Sequence, residues 1–193
     1  DHHLLVGRDL QGRFVLGPRL IELAESAGED PLLATAGPIL TRLRDITGES
    51  VQMFRRQGDM RICVASVERP TGLRDTVAVG AQLSMTAGSA AQVLLAWEEP
   101  EKLEKLLEGA SFTLTTLQSV RRRGWAQSVA EREAGVASVS APVLAPSGKL
   151  IAAVSVSGPI ERLTRSPGRL HAPAVLAAAE RLSEVLRRSG APE

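Results

Sequence analysis

The sequence predicts an α+β fold, a mainly antiparallel sheet with helices packed on it. Three observations lead there. Strand-like runs come in pairs joined by tight-turn signals, Gln57-Gly58-Asp59 and Pro146-Ser147-Gly148. Helical segments fall in groups between these pairs and do not alternate with single strands, which disfavours a doubly wound parallel sheet. The 193 residues are 44% hydrophobic and 23% charged, a composition that folds around one sizeable core and is short for two.

The elements follow in order. Leu4-Leu5-Val6 and Arg13-Phe14-Val15-Leu16 flank a Gln-Gly turn and predict a hairpin over residues 4–16. Gly17-Pro18 opens a short amphipathic helix that ends at Gly28. Asp30-Pro31 repeats the start signal, and Ile39, Leu40, Leu43 and Ile46 mark one face of a longer helix stopped by Gly48. Alternation of Val51 and Met53 with polar partners, resumed by Ile62 and Val64, predicts a hairpin of about 15 residues. Thr76–Val79 reads as a short strand, and 87–96, 100–107 and 114–123 as helices, the last stopped by Gly124. A strand at Trp125–Val129 precedes a second hairpin, residues 136–156 around Pro146-Ser147-Gly148. Gly158-Pro159 breaks it, a loop centres on Ser166-Pro167-Gly168, and a closing helix runs from Val175 to Leu186.

Composition excludes several functions. Lys+Arg 23 against Asp+Glu 22 leaves a net charge of +1, without the basic field of a nucleic-acid binder, so this segment is expected to bind DNA weakly by itself. Three Phe, two Trp and no Tyr offer no stacking platform for single-stranded bases. The one cysteine, Cys63, excludes a disulfide framework and multi-cysteine metal sites, and the chain shows no signal-peptide pattern and no apolar run long enough to span a membrane. A cytoplasmic setting is the expectation. Titratable groups do not converge: His2 and His3 are terminal and His171 is expected in a Gly/Pro-flanked loop. With no metal-ligand spacing, phosphate loop or nucleophile elbow, neither an enzyme nor a cofactor or metal is expected.

The informative residues are hydroxyls in apolar strands. Ser138, Ser155 and Ser157 interrupt runs of Val and Ala, where a hydroxyl needs a partner. Ser155 and Ser157, two apart, share one sheet face, and Ser138 joins them if its strand pairs in register. Bonds to neighbouring backbone would explain these serines equally well. The small, polar strand-to-helix junction at Ser84–Gly88 adds free N–H groups at a helix start, which attract carboxylates. Hydroxyls and a helix start together suit a small organic acid.

Four strings in order, residues 12–20 (Gly-Arg-Phe-Val-Leu-Gly-Pro-Arg-Leu), 43–51 (Leu-Arg-Asp-Ile-Thr-Gly-Glu-Ser-Val), 79–96 and 154–159 (Val-Ser-Val-Ser-Gly-Pro), resemble those of IclR-type transcriptional regulators. Residues 55–64 and 121–128 are similar to the actinobacterial NdgR/LtbR branch, associated with genes of amino-acid biosynthesis, leucine especially. The resemblance implies a winged helix-turn-helix that binds operator DNA, a linker helix and a GAF-like effector domain. On that pattern residues 1–16 are the wing remnant of the DNA-binding domain, 17–28 the linker helix and 29–190 the effector domain, with further residues expected before Asp1. It also implies a homodimer, possibly pairing into a tetramer, and an effector pocket that falls here on Gly88, Ser89, Ala90, Ser128, Val136, Ser138, Ser155 and Ser157. The ligand's carboxylate is expected near Gly88–Ala90 and its tail against Val136. The chain departs from the family where many members carry Pro-Leu-His-Ala-Thr-Ala-x-Gly-Lys: residues 84–92 keep neither the His nor the Lys. Two rivals stand beside this expectation: an assembly module with a vestigial pocket, and a Cys63 thiol sensor.

Overall fold

The computed structural model describes residues 6–8, 11–17 and 30–189. The chain divides into two compact units, residues 1–30 and 31–193. In the first, β1 (Val6–Arg8) pairs antiparallel with β2 (Phe14–Leu16), Val6 opposite Leu16. The helix expected over 17–28 lies, apart from Gly17, outside the described residues.

The second unit opens with α1 (Pro31–Thr47), its proline at the first helical position, where no backbone N–H is needed. The hairpin β3 (Ser50–Gln57) and β4 (Met60–Val67) follows, then the edge strand β5 (Gln82–Ser84). Next come α2 (Ser89–Ala96), α3 (Pro100–Leu106) and α4 (Leu114–Arg123). Thr113 caps α4 by accepting from the Thr116 N–H while the Thr116 hydroxyl reaches back to the Thr113 N–H. Strands β6 (Ala126–Val129), β7 (Val136–Leu144) and β8 (Leu150–Pro159) complete the sheet, and α5 (Ile160–Leu163) and α6 (Pro167–Ser189) close the unit. The sheet order is β5-β4-β3-β8-β7-β6, every neighbouring pair antiparallel. This is the α+β class expected.

Period-two alternation assigns each strand residue to one of two cores. Val51, Met53, Val139, Ala141, Val154 and Val156 pack with Leu32, Leu40 and Leu43 of α1 and Val175 and Leu182 of α6. Phe54, Cys63 and Ala153 pack with Val93, Leu94 and Leu95 of α2 and Leu117 and Val120 of α4. With helices on both faces, the intervening polar residues Gln52, Ser140, Ser155 and Ser157 are buried as well.

Four local expectations change. Residues 76–79 form no strand; Gly80 N–H donates to the Cys63 carbonyl and the strand begins at Gln82. Ile46 is 63% exposed, because the buried row of α1 is Leu32, Ala36, Leu40 and Leu43. Gly158 and Pro159 end β8 from inside it, opposite Ala137 and Val136. The closing helix starts at Pro167, eight residues before Val175, so His171 is helical and not in a loop. Among the described residues no helix is long and apolar enough to cross a membrane.

Candidate functional site

The site begins where β5 turns into α2. Gly88 has φ 96° and ψ 154°, a region closed to residues with a Cβ, and a Cβ there would stand 3.2 Å from Nη2 of Arg61. Glycine thus lets the backbone turn into α2 directly beside a guanidinium. Two N–H groups of this turn into the helix are engaged: Gly88 donates to Glu131 Oε2 at 2.9 Å and Ser89 to Ser128 Oγ at 3.1 Å. Gln92 holds the same Glu131 carboxylate through Nε2 at 2.9 Å. A carboxylate from the protein's own β6–β7 connection therefore takes the favourable end of the helix dipole, the place assigned from sequence to the ligand.

Ser138 and Ser140 on β7 face α2, opposite Ser157 and Ser155 on β8. Ser128 joins from β6, directly across from Ser138. Oγ–Oγ distances are 2.8 Å for Ser128–Ser138, 2.6 Å for Ser138–Ser89, 2.7 Å for Ser89–Ser140 and 2.9 Å for Ser140–Ser155. A hydroxyl carries one proton, and Ser140 donates its proton to Ser155. That fixes the direction of the relay: Ser89 donates to Ser140, Ser138 to Ser89, and Ser128 to Ser138. The relay ends on Ser155, whose own O–H has no acceptor among the described residues.

One cavity collects these groups. The space in it open to the centres of water-sized molecules is about 30 Å³, and all of its empty volume, open solvent included, about 380 Å³. The first figure is room for roughly two waters, at 10–15 Å³ each. All eight residues named from the sequence line it: Gly88, Ser89, Ala90, Ser128, Val136, Ser138, Ser155 and Ser157. It has further walls that the sequence reading did not select, chiefly Gln52 and Arg61, with Phe54, Asp75 and Arg132. Gln52 accepts from Ser157 Oγ at 2.9 Å and leaves Nε2 without a partner; Arg61 donates through Nη1 to the Ser84 carbonyl and leaves Nε without one. These side chains are 1% and 3% exposed, and a buried donor left open costs about 1–3 kcal/mol.

Arg132 Nη2 grips both oxygens of the buried Asp75 at 2.6 and 2.7 Å, and its Nη1 reaches Glu133 Oε1 at 2.8 Å, so its charge is matched. Arg61 stands over the Phe54 ring, 5.6 Å from its centre, and among the described residues no carboxylate is bonded to it, which makes it the cation that can answer an anion. Burial and the neighbouring Arg132 pull its guanidinium down to about 10, against a weaker opposing pull from Glu131, so it stays charged at neutral pH. Cys63 lies elsewhere in the α2-side core, fully buried, and burial pushes its thiol up to about 11. A redox sensor needs an accessible thiolate, which this residue does not offer. His171, half-buried on α6, has its pKa lowered by burial and does not line the cavity.

Residues 24–184 match the family model described as bacterial transcriptional regulator IclR C-terminal. The chain is 29% identical over 165 residues to the HTH-type transcriptional regulator BhcR of Paracoccus denitrificans, covering 79% of this chain and 59% of that protein. It is 28% identical over 146 residues to the HTH-type transcriptional repressor AllR of Escherichia coli K12, covering 69% of this chain and 54% of the repressor. The chain thus spans a little over half the length of these curated relatives. Among solved structures, the IclR transcriptional regulator from Alicyclobacillus acidocaldarius aligns over 96% of this chain and 80% of its own, at 24% identity and a TM-score of 0.77. The IclR of Thermotoga maritima aligns over 96% and 81%, at 22% identity and a TM-score of 0.74. These two share its fold, and the family match extends over most of the chain: it belongs to the IclR family of bacterial transcriptional regulators, whose C-terminal region it contains.

Proposed function

We propose that residues 29–190 are the effector-binding and oligomerising part of a one-component DNA-binding regulator, with a small carboxylate, an amino acid or its keto acid, as effector. One observation carries the reading: eight residues from α2, β6, β7 and β8, five of them serines, converge on one cavity beside a buried charged arginine. Residues 1–16 then serve as the wing of a DNA-binding domain, and 17–28 as the linker helix. Operator DNA is the partner of that domain, in a cytoplasmic homodimer that can pair into a tetramer. The similarity of residues 55–64 and 121–128 to the NdgR/LtbR branch supports genes of amino-acid biosynthesis, leucine-related ones first, as targets. Regulation follows if the effector binds two subunit arrangements with different affinity.

The test is thermal unfolding of the 193-residue chain with branched-chain amino acids, methionine, cysteine and the corresponding keto and hydroxy acids. A ligand of the native state at a hundred times its Kd adds about 2.7 kcal/mol, and at least one acid is expected to do so. No shift with any of them overturns the proposal. It would favour a second reading, assembly without a ligand, which draws on the small cavity volume and on serines that largely satisfy one another.

A further inference from the structure

Three buried hydrogen-bond donors of the cavity are open among the described residues. The relay from Ser128 to Ser155 leaves the Ser155 O–H unpaired; the Ser157 proton goes to Gln52 Oε1 and leaves Gln52 Nε2 unpaired; Arg61 Nε is the third. Gln52 and Ser155 stand directly opposite each other on β3 and β8, and all three residues line the same cavity. At the α2 start, the other natural anion seat, Glu131 already holds the Gly88 N–H.

From this we infer that Arg61, Gln52 and Ser155 form the carboxylate anchor of the effector site, reading the ligand's charge from the sheet side. The inference rests on the effector-site reading above and narrows it. A carboxylate only accepts, so it answers three donors at once, and its charge meets the unpaired guanidinium.

Two isosteric probes isolate the charge in the 193-residue chain: glycolate, and glycolamide, which lacks it. Calorimetry is expected to give glycolate an affinity at least about tenfold above glycolamide, the size of one charge-assisted hydrogen bond. Arg61→Gln is expected to erase that preference. Gln52→Glu keeps an oxygen for Ser157 and sets a carboxylate among the open donors; it is expected to abolish glycolate binding while the protein stays folded, so it stands in should Arg61→Gln fail to fold. Glycolamide binding within threefold of glycolate, or a preference for glycolate that survives either substitution, would overturn the anchor and leave the effector site standing. If neither of these probes binds and the acids tested above give no shift, the effector site itself falls and the anchor with it.

Discussion

Gly158→Ala is expected to destabilise the second unit by about 3 kcal/mol, as overpacking at a rigid site does. A Cβ at this position would lie 2.4 Å from Glu49 Oε2 and 2.9 Å from Leu163 Cδ1. Glu49 cannot step aside at low cost. Its carboxylate is buried and receives Arg162 Nε at 2.5 Å and Nη2 at 2.8 Å, and the same Nη2 also donates to the Leu73 carbonyl at 2.6 Å. Rotating it away leaves a buried charge without its partner. For 150–250 residues each kcal/mol lowers Tm by about 2–4 °C, so calorimetry should find a fall of roughly 6–12 °C. A loss under about 1 kcal/mol would show that the Glu49–Arg162 clasp is loose. The same clasp explains the glycine of the Val-Ser-Val-Ser-Gly-Pro string: it lets Glu49 and Leu163 close over the end of the strand that carries Ser155 and Ser157.

The second large effect separates two residues of one helix. Leu40→Ala removes a fully buried side chain between α1 and the sheet and is expected to cost about 3 kcal/mol in urea denaturation. Ile46→Ala, on the same helix but 63% exposed, should change stability by less than about 0.5 kcal/mol. Equal losses would contradict the buried row Leu32, Ala36, Leu40 and Leu43.

That contrast also shows what the sequence made legible. The elements were largely readable because their signals are local: proline at the start of α1 and glycine after α4, turn residues in the hairpins, period-two alternation in β7 and β8. Where tertiary packing decided, the reading slipped. Ile46 continues the apolar spacing of α1, yet the helix ends beside it and nothing covers that face. Pro167, Gly168 and Pro173 read as a loop, yet Pro167 opens α6, and burial of Ala172 and Val175 against the sheet holds a helix through Pro173. At the candidate site, the serines stood out because they interrupt Val and Ala. Gln52 and Arg61 did not, because alternation with apolar neighbours normally means a solvent-facing side chain. Here helices cover both faces of the sheet, so the alternate positions are buried too. The carboxylate of Glu131 at the start of α2 was not legible either, since its partners lie 39 and 43 residues away.

The central claim is that a small acid binds in the cavity between α2 and the sheet. Backbone amide NMR of the labelled chain, titrated with an acid that stabilises it, tests this most directly. The account predicts saturable shifts at Gly88, Ser89, Ser128, Ser138 and Ser155, together with Gln52 and Arg61. Saturable shifts confined to another site, such as the larger apolar groove beside Trp97 and Leu114, would contradict it.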